Sequence, residues 1–90
     1  MSGEFLLKRA AETFAERKAS YGNASDLFDS IAKRWSMTLG TQVTADQVAM
    51  CMIDLKMARL AHDPRHADSI LDVAGYAACL HEVTSKGGQT

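Results

Sequence analysis

Two cations and two carboxylates stand at helical spacing on either side of a proline turn. Lys56 and Arg59 precede Asp63-Pro64 at i,i+3, and Asp68 and Asp72 follow it at i,i+4. Residues three or four apart share a helix face. The proline ring disfavours αR at the residue before it and supplies no backbone donor, so one helix is expected to end near His62 and the next to begin near Arg65. If the two fold back antiparallel, positions whose numbers sum to roughly 128 face each other. Lys56 then lies opposite Asp72, and Arg59 near Asp68 and Ser69. Lys56, Arg59, Asp68, Asp72 and Tyr76 are the candidate ligand-binding residues. Asp54, Asp68 and Asp72 would offer carboxylate oxygens to Mg²⁺ if they converged. Lys56 and Arg59 in the same neighbourhood neutralise those acids, so Mg²⁺ is disfavoured and no cofactor is assigned. Against both chemistries stands an ion-pair network that only fixes helix register. Asp68 suits the first turn of its helix in any case, where the dipole favours a carboxylate.

Other chemistry is sparse. His62 and His66 flank the turn and could share a metal, although histidines in a polar turn are commonly solvated; His81 is expected at the surface. No Ser, Cys or His stands in a nucleophile setting such as G-x-S-x-G, and no glycine-rich phosphate loop follows a strand, which disfavours nucleophilic and P-loop enzymes. Tyr21, Trp35 and Tyr76 could stack a base, yet a lone Trp at helical spacing is more often core. Cys51 and Cys79 sit in apolar helical patterns and are expected to be reduced core thiols rather than a disulfide.

Four helices must position these groups. Over about residues 4–20, Leu7, Ala10, Ala11 and Phe14 line one face, and Gly22 is placed to end the helix. Asn23 or Ser25 can cap a second helix with Leu27, Phe28, Ile31, Trp35 and Leu39 on its apolar face, stopped at Gly40. Thr44-Ala45-Asp46-Gln47 has the capping-box form and opens a third helix, expected over about 45–61. Its first turns, VAMCMI, are apolar on every side, so it is either central or part of a subunit interface that exposes Val48, Met52 or their apolar neighbours in the lone protomer. The fourth, expected over about 65–85, sets Ile70, Val73, Ala74, Ala77 and Leu80 on one face. Gly75 in mid-helix suggests a neighbour packed closely against it. One all-α domain over residues 1–86 with a flexible tail at 87–90 is expected.

Bulk properties narrow the function. Of 90 residues, 47% are hydrophobic and 23% charged, with a net charge of −1, an ordinary globular balance. No clustered excess of Lys and Arg marks general nucleic-acid or anionic-membrane binding. No apolar run approaches the ~20 residues of a membrane span and the N-terminal stretch has no apolar core, so a cytoplasmic location is expected.

Taken together, Arg17-Lys18-x-x-Tyr21-Gly22, Phe28-x-x-Ile31-Ala32-x-x-Trp35, Lys56-x-x-Arg59-Leu60 and Asp68-Ser69-x-x-Asp72-x-Ala74-Gly75-Tyr76-Ala77 resemble a set of small uncharacterised proteins carried by phages and prophages. More distantly, the hairpin is similar to the all-α nucleoside triphosphate pyrophosphohydrolases of the MazG and dimeric dUTPase type, and to a nucleotide-modification-associated phage domain. That likeness implies a compact MazG-like bundle built on a central antiparallel hairpin, and the all-round apolarity of the third helix adds the expectation of a homodimer or higher oligomer. The pyrophosphohydrolases hold Mg²⁺ with an E-x-x-E pair on one helix and an E-x-x-D pair on the next. Here Asp72 matches the final acid, its partner is displaced to Asp68, and the first pair is reduced to Asp54 followed at i+3 by Met57. A cation pair can replace the metal's role in binding phosphate but not in activating water.

Two readings stay open. In one, this is a phage accessory protein that binds a nucleotide with little or no pyrophosphohydrolase activity. In the other, it is a non-enzymatic module that modulates a host or phage protein, with a structural charge cluster. A homo-oligomer is expected in both.

Overall fold

Each helix starts where a side chain can satisfy its orphan amides and stops where the backbone must turn. The computed structural model describes residues 2–85, and within them the chain forms four α-helices and no strand: α1 (Gly3–Tyr21), α2 (Ala24–Leu39), α3 (Ala45–His62) and α4 (Ala67–Thr84). The tail expected at 87–90 lies outside the described residues. Ser2 Oγ accepts the Phe5 amide at 3.1 Å to open α1, and Asn23 Oδ1 accepts the Ser25 amide at 2.7 Å to open α2. The capping box opens α3, with Gln47 Oε1 accepting the Thr44 amide at 3.0 Å. Gly22 (φ +85°) and Gly40 (φ +69°) end α1 and α2 in conformations that L side chains rarely adopt.

Two departures follow from local chemistry. Helix α4 begins at Ala67 rather than near Arg65, because Asp63 Oδ1 takes the Arg65 amide and the Asp63 carbonyl takes the His66 amide, which holds 63–66 in a turn. His66 then caps the helix, its Nδ1 accepting the Ser69 amide at 3.2 Å and sharing a 2.7 Å hydrogen bond with the buried Ser69 hydroxyl. The expected face of α1 is also shifted. Leu7 and Ala11 are exposed, and Ala10 is buried with Leu6, Thr13 and Phe14 half-covered. Helix α1 lies mainly along α4, touches α2 lightly and does not approach α3, so only a narrow stripe of it is covered.

The core sits where α2 and α3 cross α4. Phe28, Ala32, Val48 and Ala49 are buried there, surrounded by half-buried Ile31, Trp35, Met52, Leu80 and Val83. Full burial of a side chain such as Phe28 stabilises by about 1.5–3 kcal/mol. The connection into α3 is pinned by Ser36, whose Oγ accepts the Val43 amide at 2.8 Å and donates to the Ala32 carbonyl at 2.7 Å. Ser25 Oγ donates to the Glu82 carbonyl at 3.2 Å and ties the start of α2 to the end of α4.

Helix α4, not the all-round apolar α3, is the central helix: it packs against all three others, whereas α3 meets only α2 and α4 and leaves an outer side exposed, and the outward residues of α3 are not those expected. Val48 has no exposed surface and Met52 packs against the core, whereas Met50, Cys51, Leu55 and Met57 face out. Cys51 is therefore not a core thiol; Cys79 is half-buried, and neither forms a disulfide. No helix among the described residues is long and apolar enough to cross a membrane.

Candidate functional site

The α3–α4 hairpin closes with α3 and α4 as the most extensively packed pair. Lys56, half-buried on the inner side of α3, reaches Asp72 on α4, with Nζ 3.0 Å from Oδ2. The second expected pair does not form. Arg59 and Asp68 are both exposed, and among the described residues neither enters an ion pair. Asp68 does lie in the first turn of α4, as expected, but there it faces solvent. Arg59 instead borders a shallow hollow at the turn with His62, Asp63 and His66.

The second cation at Asp72 comes from α1. Arg17 Nη1 lies 3.7 Å from Asp72 Oδ1, so the carboxylate is bracketed by Lys56 on one oxygen and Arg17 on the other. Lys56 and Asp72 are only 15% and 16% exposed, whereas Arg17 is 54% exposed. The inner pair is held in a partly desolvated setting, and Arg17 reaches it from the solvent side. Sequence reasoning placed Arg17 in a motif but gave it no role. Its approach depends on how α1 lies along α4, which no local pattern encodes.

These groups line one cleft of about 450 Å³ between α1, the start of α2 and α4. Arg17, Lys18 and Lys56 supply three positive charges there against the single carboxylate of Asp72. Phe14, Tyr21, Phe28 and Tyr76 supply aromatic surface, Phe28 and Tyr76 with ring centroids 6.4 Å apart and a 57° tilt. Tyr21, at the rim, is 70% exposed. Gly75 forms part of the wall, and a Cβ built there would meet nothing within 4 Å, so the expected close neighbour is absent and the glycine leaves space instead. Cys79 lines the inner end, where burial pushes its thiol pKa up against a smaller lowering pull from Arg17.

The metal set is not assembled. Asp54 is exposed on the outer side of α3, away from Asp72. No group of three or more His, Cys, Asp or Glu side chains among the described residues is arranged to hold a metal ion. His66 Nδ1 is engaged with Ser69, not presented beside His62 as a ligand. Trp35 packs on the core and is not part of the cleft. The chemistry on offer is recognition of an anionic group beside a flat, apolar ring. Cationic side chains hold phosphate, and aromatic faces take a base without demanding its identity.

Residues 5–84 match the model of a family described as Domain of unknown function (DUF6378). The chain is 36% identical over 69 residues to the Gene 55 protein of Mycobacterium phage L5, covering 76% of this chain and 44% of that protein. It is 34% identical over 83 residues to the Gene 55 protein of Mycobacterium phage D29, covering 92% of this chain and 55% of that protein. The chain thus spans about half the length of these curated relatives. No solved structure matches it.

Proposed function

The chain belongs to the DUF6378 family, and we propose that it binds a nucleotide in the α1–α4 cleft without hydrolysing it at an enzyme-like rate. The observation that carries this reading is the lining of one cleft by Arg17, Lys18 and Lys56 together with Phe14, Tyr21 and Tyr76. The phosphate is taken by the cations, with Arg17 free to swing from Asp72 toward the ligand, and the base rests on the aromatic wall. Similarity to mycobacteriophage proteins supports an accessory role during phage growth, in the cytoplasm of the host. The antiparallel hairpin supports a MazG-like arrangement in which most of the metal-holding acids are missing and cations take over the metal's role in binding phosphate. The protein works as a homo-oligomer.

A second reading is favoured by a different observation. Phe5, Leu7, Met37 and Leu39 are large apolar side chains left more than half exposed, as a module that modulates a host or phage protein would need. A thermal-shift screen of nucleotides with and without Mg²⁺ separates the two. A cleft ligand at 100 times its Kd adds about 2.7 kcal/mol of apparent stability, and the gain disappears in Arg17→Gln with Lys56→Gln. No shift with any nucleotide would overturn the first reading.

A further inference from the structure

A carboxylate with a cation on each oxygen marks a space one anionic group wide. Asp72 is such a group, with Lys56 Nζ 3.0 Å from Oδ2 and Arg17 Nη1 3.7 Å from Oδ1. Lys18 also lines the cleft, so three positive charges face one negative charge and two are left for a ligand. A phosphate monoester carries about −1.5 to −2 at neutral pH, which matches that surplus.

We infer that the ligand of the α1–α4 cleft is a nucleoside 5′-monophosphate, purine or pyrimidine, rather than a triphosphate. This rests on the nucleotide reading above and narrows it to a ligand class. Charge is the first reason. Each further phosphoryl group adds negative charge that Mg²⁺ normally offsets by bridging the phosphates to one or two protein carboxylates. Asp72 is the one carboxylate lining the cleft among the described residues, and both its oxygens face cations. A triphosphate without metal exceeds the surplus charge, and one with metal finds no free carboxylate. Reach is the second reason. Asp72 and Tyr76 stand one turn apart on α4, roughly 6 Å along the axis, which is about the reach of a single sugar. Gly75 lies between them on the cleft wall, and a Cβ there would meet nothing within 4 Å, so the wall is open where that sugar would pass. At about 450 Å³ the cleft is also near the lower end of the ~300–1,000 Å³ usual for small-molecule sites. The third reason concerns the base. Among the described residues no Asn, Gln, Glu or His side chain lines the cleft, and those are the groups that read base edges by fixed donor and acceptor pairs. Its hydroxyls, on Thr13, Tyr21 and Tyr76, both donate and accept, and stacking takes any base.

Calorimetric titration of the full chain tests this with AMP and dCMP, with ATP and dCTP in the presence and absence of Mg²⁺, and with adenosine and inorganic phosphate. AMP and dCMP are expected to bind within about tenfold of each other, and each at least about tenfold tighter than its triphosphate. Adenosine and inorganic phosphate should each bind more weakly than AMP. In Asp72→Asn the surplus rises by one charge, so the ratio of triphosphate to monophosphate affinity should rise about tenfold. That ratio is taken within one preparation and holds even if part of the variant is unfolded. A triphosphate that binds wild type as tightly as its monophosphate, or a ratio unmoved by Asp72→Asn, would overturn the inference and leave the nucleotide reading standing. A wider gap between AMP and dCMP would overturn the indifference to base, and adenosine matching AMP would overturn the phosphoryl site. Inorganic phosphate as tight as AMP, or no nucleotide binding at all, would overturn the nucleotide reading as well.

Discussion

Lys56 and Asp72 meet across the helical hairpin at 3.0 Å, sixteen residues apart in sequence and both largely shielded from water. Breaking one side of so shielded a pair leaves a charge without compensation. Asp72→Ala also frees Arg17, and is expected to cost about 2–3 kcal/mol, between the values for exposed and fully buried pairs. Lys56→Met with Asp72→Leu should recover most of that loss, because an apolar pair of similar volume avoids desolvation. Urea melts of both single mutants and the double mutant measure the coupling. A stabilised Asp72→Ala would show that the carboxylate is held for function rather than for the fold.

Pyrophosphate release from dUTP or dCTP with Mg²⁺ should stay at the uncatalysed background. Among the described residues no three acids, histidines or cysteines converge on one point, and a single carboxylate bracketed by two cations cannot both hold the metal and activate water. Mg²⁺-dependent release abolished by Asp72→Asn would refute this.

Gly75→Ala offers a separation of stability from binding. The added methyl meets nothing, and alanine is favoured in a helix interior by up to ~1 kcal/mol. The variant should therefore melt higher than the wild type. The same methyl projects into the cleft, so nucleotide affinity should fall. If affinity is unchanged while stability rises, the ligand does not use that wall.

His66→Ala removes the cap of α4 and is expected to destabilise by about 1 kcal/mol, with Asn at the same position restoring most of it. Chemical denaturation of the two variants makes the comparison. Equal losses in both would mean that the imidazole serves the buried Ser69 hydroxyl more than the helix end.

How legible these features were depends on the range of the interaction that sets them. The helix ends at Gly22, Gly40 and Thr44 are decided within four residues, and they stand where the local pattern put them. The Lys56–Asp72 contact was also readable, since a proline turn fixes how two helices face each other. Arg59–Asp68 was not, because helical spacing puts both near the turn without saying that both face solvent there. Arg17's approach to Asp72, the open space at Gly75 and the exposure of Cys51 all depend on which helix lies beside which. Hydrophobic periodicity says that a face is covered without saying by what.

Helix α1 is attached along one narrow stripe, with Ala10 its single buried residue and a cleft beneath its C-terminal half. The remaining three helices share the core without it. Such an element can detach while the rest stays folded, and this sets a hierarchy of amide hydrogen exchange. Backbone amides of α1 should exchange through a low-energy subglobal opening about the Gly22 joint, while those around Val48 and Ala49 exchange only on global unfolding. A nucleotide gripped by Arg17 on one wall and Lys56 on the other would close that gap by making α1 exchange more like the core. Protection of α1 would then report occupancy residue by residue, even where no chemical turnover exists to be followed.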